Sequence, residues 1–211
     1  MKPLPSILEP LLSTLRPVSE TMAPATWSTT AFPRQAAVLV LLFPRGSDVA
    51  FVLTARPNTL ARHAGQISLP GGVTEPGDVD LWHTALRETQ EELGIRTDRI
   101  RPLGQLDPVS LVASNYVIAP YVGWNPFPPV LRPDPAEVAE CIEVPVRLLF
   151  DPLTVQEEKW ELRGDLWHVC FFRLDDKIVW GATARILADL ASRLHHPGFR
   201  EPLIPGSVRP A

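Results

Sequence analysis

The sequence predicts an α+β fold in which a sheet is clamped between helices. Two apolar runs of strand length, AAVLVLLF at 36–43 and VAFVLT at 49–54, lead a chain in which strand-like segments dominate. Only 81–93 and 182–194 carry apolar residues at the spacing of a full amphipathic helix. Proline-rich stretches such as NPFPPVLRPDP cannot be central strands and read as loops. Strands with a few helices packed on them give this layered class.

Residues 1–33 read as an N-terminal arm with a short helical stretch at 7–15. Pro44-Arg45-Gly46-Ser47 is a turn, so 36–43 and 49–54 form a hairpin. A polar loop over 56–69 ends in the short strand QISL. The helix at 81–93 repeats Leu81, Ala85, Thr89 and Leu93 on its buried face, and Gly94 stands where a left-handed residue ends a helix. Strands are expected at 100–106 and 116–122, and at 138–149 with a short helical turn starting near Val144-Pro145. A second hairpin, 167–174 with 178–180, turns at Asp175-Asp176. The helix at 182–194 buries Ile186, Leu187, Leu190 and Leu194, and 196–211 is a loose C-terminal tail.

The chain has 211 residues, 45% of them hydrophobic, which suits one domain with a real core. A net charge of -4 gives no basic patch for nucleic acid. No apolar run reaches membrane-spanning length. The start, MKPLPSILEPLLSTL, has no signal-peptide h-region, so a cytoplasmic location is the default. Cys141 and Cys170 are two cysteines without metal-ligand spacing and make no disulfide framework. The expected partner is a small molecule, bound by a monomer or homodimer.

The segment that carries chemistry is GGVTEPGDVDLWHTALRETQEELGI, from Gly71 to Ile95. Glu88, Glu91 and Glu92 stand at i, i+3 and i+4, on one helix face with Cβ atoms roughly 5–6 Å apart. Like charges at this spacing repel. A solvated face would interleave lysines; here Arg87 is the one cation nearby. A hard divalent cation, Mg²⁺ or Mn²⁺, relieves such repulsion and recruits phosphate oxygens. Gly71-Gly72 lets backbone approach a ligand closely, and Asp78 lies ahead of the helix where it can turn back. The alternative is an exposed acidic helix.

This stretch resembles the Nudix box of hydrolases that cleave nucleoside diphosphates linked to another moiety. Gly72, Arg87, Glu88, Glu91, Glu92, Gly94 and Ile95 fill their positions. Asp78 stands in place of the first glutamate, eight residues rather than seven separate it from Arg87, and Thr89 fills an apolar slot. The preceding VLTARPNTLARHAGQISLPGG is similar to the segment that marks the coenzyme A pyrophosphatase branch of the family, through Leu53, Thr54, Arg56, His63, Gly65, Gln66, Pro70, Gly71 and Gly72. Pro57 replaces a usual serine and Leu69 a usual phenylalanine. The resemblance implies an α/β/α sandwich with a mixed sheet over 34–195.

It also implies a reaction: metal-dependent hydrolysis of the pyrophosphate bond of coenzyme A or its thioesters, giving 3′,5′-ADP and (acyl-)4′-phosphopantetheine. Glu88 and Glu92 would hold the metal, and Glu91 would be the base or a further ligand. Arg87 would fix a glutamate rotamer. Arg56, Arg62 and His63 form a basic cluster that either grips phosphate or is solvated loop. Gln66 either binds substrate or closes the turn, and Glu137 is either a distal base or an exposed glutamate. Two rivals stay open: another Nudix substrate such as ADP-ribose, and a non-catalytic nucleotide-binding module.

Overall fold

The computed structural model describes residues 3–18, 33–58, 65–111, 114–162, 164–194 and 208–210. A 3-10 turn, Ser6–Leu8, precedes a one-turn helix α1 (Leu11–Thr14). Strands β1 (Arg34–Arg45), β2 (Asp48–Ala55), β3 (Ile67–Ser68) and β4 (Gly71–Val73) lead into helix α2 (Leu81–Leu93). Strands β5 (Arg101–Gln105), β6 (Val109–Leu111), β7 (Tyr116–Trp124) and β8 (Glu140–Pro145) follow, then a 3-10 segment, Val146–Phe150. Strands β9 (Val155–Leu162), β10 (Asp165–Leu174) and β11 (Lys177–Val179) precede helix α3 (Gly181–Arg193), and β12 (Val208–Pro210) is last.

The first eight strands make one sheet with the path β3-β2-β1-β7-β5; β4 pairs with β1, β6 with β7 and β8 with β2. β1 runs parallel to β7, pairing Arg34 with Tyr116 through Leu42 with Trp124. Its other edge is antiparallel to β4 and then to β2. The sheet is therefore mixed, as the resemblance implies.

A central strand covered on both faces needs no polar alternation, which explains the unbroken run at 36–43. One face carries Val40, Leu42, Phe51 and Leu53 against Ile186, Leu187 and Leu190 of α3. The other carries Leu39, Leu41, Ala50, Val52 and Tyr121 against Leu81, Trp82, Ala85 and Leu93 of α2. The Trp82 and Tyr121 rings meet edge to face at 5.6 Å. A smaller sheet of β9, β10, β11 and β12 lies beyond.

Helix α2 has the predicted ends. The Asp80 carboxylate caps its first turn by accepting from the His83 amide at 2.8 Å. Gly94, with φ 61°, closes the other end in the left-handed conformation that glycine adopts without strain. Thr89 is fully buried on the core face, and its hydroxyl donates to the Ala85 carbonyl at 2.6 Å. That local bond lets a polar residue occupy an apolar slot.

Several expectations need correction. The stretch at 7–15 is not one helix: Pro10 separates the 3-10 turn from α1. Nor is this segment free of the domain, because Leu8, Leu11 and Leu15 are buried in the α3-side core. The strand within 138–149 starts only at Glu140, while the helical turn expected from Val144-Pro145 is present as the 3-10 segment Val146–Phe150. Strands β4, β6 and β9 were not foreseen; β9 (VQEEKWEL) reads as polar because only β10 flanks it. Val208–Pro210, within the expected loose tail, pairs with Trp167–Val169 of β10. Trp180 is half-buried and packs edge-on to Trp160 at 5.6 Å. Among the described residues, no helix is long and apolar enough to cross a membrane.

Candidate active site

The face of α2 that carries the glutamates lies beside β4, and Arg87 ties the two together. Its Nε and one terminal nitrogen donate to the two Asp78 oxygens at 3.0 and 3.1 Å. That same nitrogen also donates to the Val73 carbonyl at 3.0 Å. The other terminal nitrogen meets Glu88 and Glu91, each at 3.0 Å. Asp78 in turn accepts from the Glu75 amide at 2.9 Å and the Thr84 hydroxyl at 2.8 Å. Burial opposes its charge, but these hydrogen bonds and the nearby guanidinium win and hold its pKa below the usual carboxylate range. The Asp78 hydrogen bonds raise the Arg87 pKa further, so the pair is ionised at any working pH.

Asp78 therefore works on Arg87. From the turn ahead of the helix, the Asp78 carboxylate reaches the guanidinium. Thr84, which completes the grip, has no counterpart in the sequence reading; its one signal is a spacing of three residues from Arg87 on the same helix.

Glu88 and Glu92 occupy the gap under the glycines. Glu92 is only 5% exposed and accepts from the Gly71 amide at 3.2 Å. Burial pushes its pKa up to about 8, and Glu88 and Glu137 push the same way; the Gly71 amide and Arg56 pull against them. Burial also raises Glu88, with Arg87 opposing and Glu91 and Glu137 adding to the rise. Gly72 makes room for this arrangement: a Cβ there would stand 2.5 Å from both Glu88 oxygens. Gly71 has φ 147°, and a Cβ there would run into the Ala37 carbonyl and the Val38 backbone.

Glu91 is not in that gap. Its side chain is 57% exposed and turned to Arg87. The three glutamates thus divide in this structure: two lie inward beside β4, and Glu91 stays on the solvent side. Glu137 comes from a distant turn, and its field reaches both inward carboxylates. The turn is fixed on α2, since the Asp134 amide donates to the Glu92 carbonyl at 3.0 Å and the Asp134 carbonyl accepts from the Glu137 and Val138 amides. Glu137 is exposed and electrostatically coupled to the site at once.

Arg56 follows β2, and its charge acts on Glu92. Its Nε is buried with no hydrogen-bond partner among the described residues. The base of its loop is closed by the Arg56 amide donating to the Gln66 carbonyl at 3.0 Å and the Gly65 amide donating to the Arg56 carbonyl at 3.2 Å. Gln66 thus closes the turn through its backbone. Arg62 and His63 lie outside the described residues. Cys141, read from sequence as a cysteine without metal-ligand spacing, is a half-buried thiol on β8; burial raises its pKa, and Glu92 is among the carboxylates that add to the rise.

The NUDIX domain family matches residues 33–166, well over half of the chain. This chain belongs to the Nudix family. Among its relatives, a Nudix hydrolase NudL of Photorhabdus laumondii, itself uncharacterised, is 36% identical over 161 residues, covering 76% of this chain and 85% of that protein. Chloroplastic Nudix hydrolase 22 of Arabidopsis thaliana is 34% identical over 180 residues, covering 80% of this chain and 59% of that protein. Among solved structures, the NUDIX domain of Shewanella oneidensis NrtR complexed with ADP ribose aligns with TM-score 0.47 at 19% identity, over 58% of this chain and 80% of that one.

As a Nudix hydrolase, the protein cleaves pyrophosphate bonds in nucleoside diphosphate derivatives. Enzymes of this family use divalent cations such as Mg²⁺ or Mn²⁺. Among the described residues, no three His, Cys, Asp or Glu side chains form a ready-made metal cage. The donor set nonetheless suits a hard cation shared with substrate: Glu88 and Glu92 are two oxygen donors whose mutual repulsion a cation would relieve. Mg²⁺ commonly takes one or two carboxylates and completes its shell with water and phosphate oxygens.

Proposed function

We propose that this Nudix hydrolase cleaves the pyrophosphate bond of coenzyme A or its thioesters, giving 3′,5′-ADP and 4′-phosphopantetheine or its acyl form. Glu88 and Glu92 hold the divalent cation. That cation, when bound, neutralises diphosphate charge and lowers the pKa of water. Arg87, locked by Asp78, keeps Glu88 in place. Glu137, whose charge acts on both inward carboxylates, takes the proton of the attacking water; Glu91 is the solvent-side alternative. Arg56 meets the diphosphate.

The observation that carries this reading is Arg56. It belongs to the segment resembling the coenzyme A branch, its charge reaches Glu92, and its buried Nε keeps an unused donor. A guanidinium in that state suits a phosphate oxygen, which it recognises in a fixed planar geometry. The departure at Leu69 counts for little against the reading, because that side chain is buried in the α3-side core and the exchange is one of packing. Pro57 remains half-buried in the loop and keeps the ADP-ribose reading as the rival.

The test is hydrolysis of coenzyme A, acetyl-coenzyme A and ADP-ribose with Mg²⁺ or Mn²⁺, with products identified by mass. Formation of 3′,5′-ADP with the highest kcat/KM on a coenzyme A substrate is expected. Preference for ADP-ribose would overturn the substrate assignment. Activity that survives Glu92→Gln unchanged would remove α2 from the mechanism.

A further inference from the structure

At the C-terminal end of α2, the loop that follows β7 folds over the helix and lines a half-open cavity of about 300 Å³. Arg99 and Arg132 both line it. Arg96 lines it too, but both Asp98 oxygens engage that guanidinium, at 3.1 and 2.7 Å. Arg99 and Arg132 have no ion pair among the described residues. The apolar wall is Phe127, Pro128, Pro129 and Val130. Phe127 is 44% exposed and Val130 72%, and the Arg99 guanidinium lies over the Phe127 ring at 5.7 Å.

The arrangement is held rigidly. The Arg132 amide donates to the Leu93 carbonyl at 2.7 Å, so the arginine is anchored to the last turn of α2. The approach depends on Gly94, where a Cβ would collide with the Arg132 carbonyl. The Asn125 carboxamide oxygen accepts from the Phe127 amide at 3.2 Å and fixes the start of the loop. Proline at 128 and 129 restricts the backbone further.

We infer that this cavity is a second ligand site, which takes a phosphomonoester with a flat or apolar body. Two guanidinium groups without an ion pair among the described residues, Arg99 (whose charge also acts on Asp98) and Arg132, meet the phosphoryl oxygens, since arginine–phosphate bonds are charge-assisted and directional. The body packs on the ring and prolines, as small-molecule sites combine an apolar wall with a few placed polar groups. Its residues are distinct from those of the hydrolytic site, and the inference does not depend on the coenzyme A reading.

The test is calorimetric titration of the full chain in EDTA with adenosine 5′-monophosphate, inorganic phosphate and adenosine. The monophosphate is expected to bind more tightly than either half. Arg99→Ala/Arg132→Ala should weaken it about tenfold or more, and Arg99→Lys/Arg132→Lys, which keeps the charge, should weaken it less. Glu92→Gln should leave it unchanged. Circular dichroism checks that each variant is folded, and the single Arg132→Gln is read if the double variants are not. No binding at millimolar monophosphate, binding indifferent to Arg99 and Arg132, or binding lost with Glu92→Gln would each overturn the inference.

Discussion

Asp78 grips Arg87 by both carboxylate oxygens, at 3.0 and 3.1 Å, from a turn nine residues upstream. Bidentate charge-assisted pairs fix orientation as well as adding energy. Only 6% of the Asp78 side chain and 23% of the Arg87 side chain are exposed, so solvent screens the pair little. Asp78→Asn should therefore free Arg87 and loosen Glu88. We expect a loss of about 10–100-fold in Mn²⁺ affinity or turnover, the range seen when groups that orient metal ligands are removed. Manganese titration followed by electron paramagnetic resonance measures it. Unchanged affinity and rate would mean that Arg87 is held without Asp78.

Neighbouring glycines should fail in different ways. At Gly71 a side chain would strike the β1 backbone in a conformation L-residues rarely adopt, so Gly71→Ala should cost about 2 kcal/mol or more in stability. At Gly72 the obstacle is the Glu88 carboxylate, a flexible side chain that can swing away. Gly72→Ala should keep most of its stability and lose turnover. Thermal unfolding beside steady-state kinetics separates the two; equal stability losses would contradict this reading.

Glu92 gives the metal-free protein a pH dependence of definite sign. Its folded pKa is raised from 4.5 to about 8, so between these values the folded state keeps a proton that the unfolded state has released. This contribution is fully present below about 4.5 and is lost as pH rises through about 8, with a limiting slope of ~1.4 kcal/mol per pH unit. Burial raises Glu88 in the same direction. Urea unfolding in EDTA from pH 5 to 8 should show a falling stability that Glu92→Gln flattens. Parallel profiles for the two proteins would argue against an ionisation-resisting Glu92.

Leu11 lies far from the chemistry yet is fully buried beside Leu8 and the α3-side core. Leu11→Ala should destabilise by about 2–4 kcal/mol, as buried large-to-small changes do, with kcat/KM unchanged below the melting range. Chemical denaturation reads the first and hydrolysis of the best substrate the second. A negligible stability change would mean that the N-terminal segment is not a working part of the core.

Much of the site could be read because it is local. The stripe from Leu81 to Leu93 and the Gly94 stop lie within one helix, where i to i+4 geometry turns spacing into position; the Asp80 cap was found only in the structure. The central strand showed itself because burial on both faces leaves an unbroken apolar run. Strand β9 did not, since its polar residues suit a strand flanked only by β10, which holds it by backbone hydrogen bonds that any residue type supplies. Arg62 and His63 lie outside the described residues, so geometry places neither of them.

The sequence by itself determined the α+β class, the box helix and its ends, and three glutamates at spacing that puts them on one helical face. Tertiary structure alone decided how those glutamates divide: Glu88 and Glu92 under the glycines, Glu91 out beside Arg87. It also decided that Asp78 serves Arg87, that Glu137 is docked near the inward pair from a remote turn, and that Leu8, Leu11 and Leu15 complete the core. The physical reason is separation along the chain. Helix periodicity and capping act over a few residues, whereas these contacts join groups brought together only when the sheet has formed and its faces are covered.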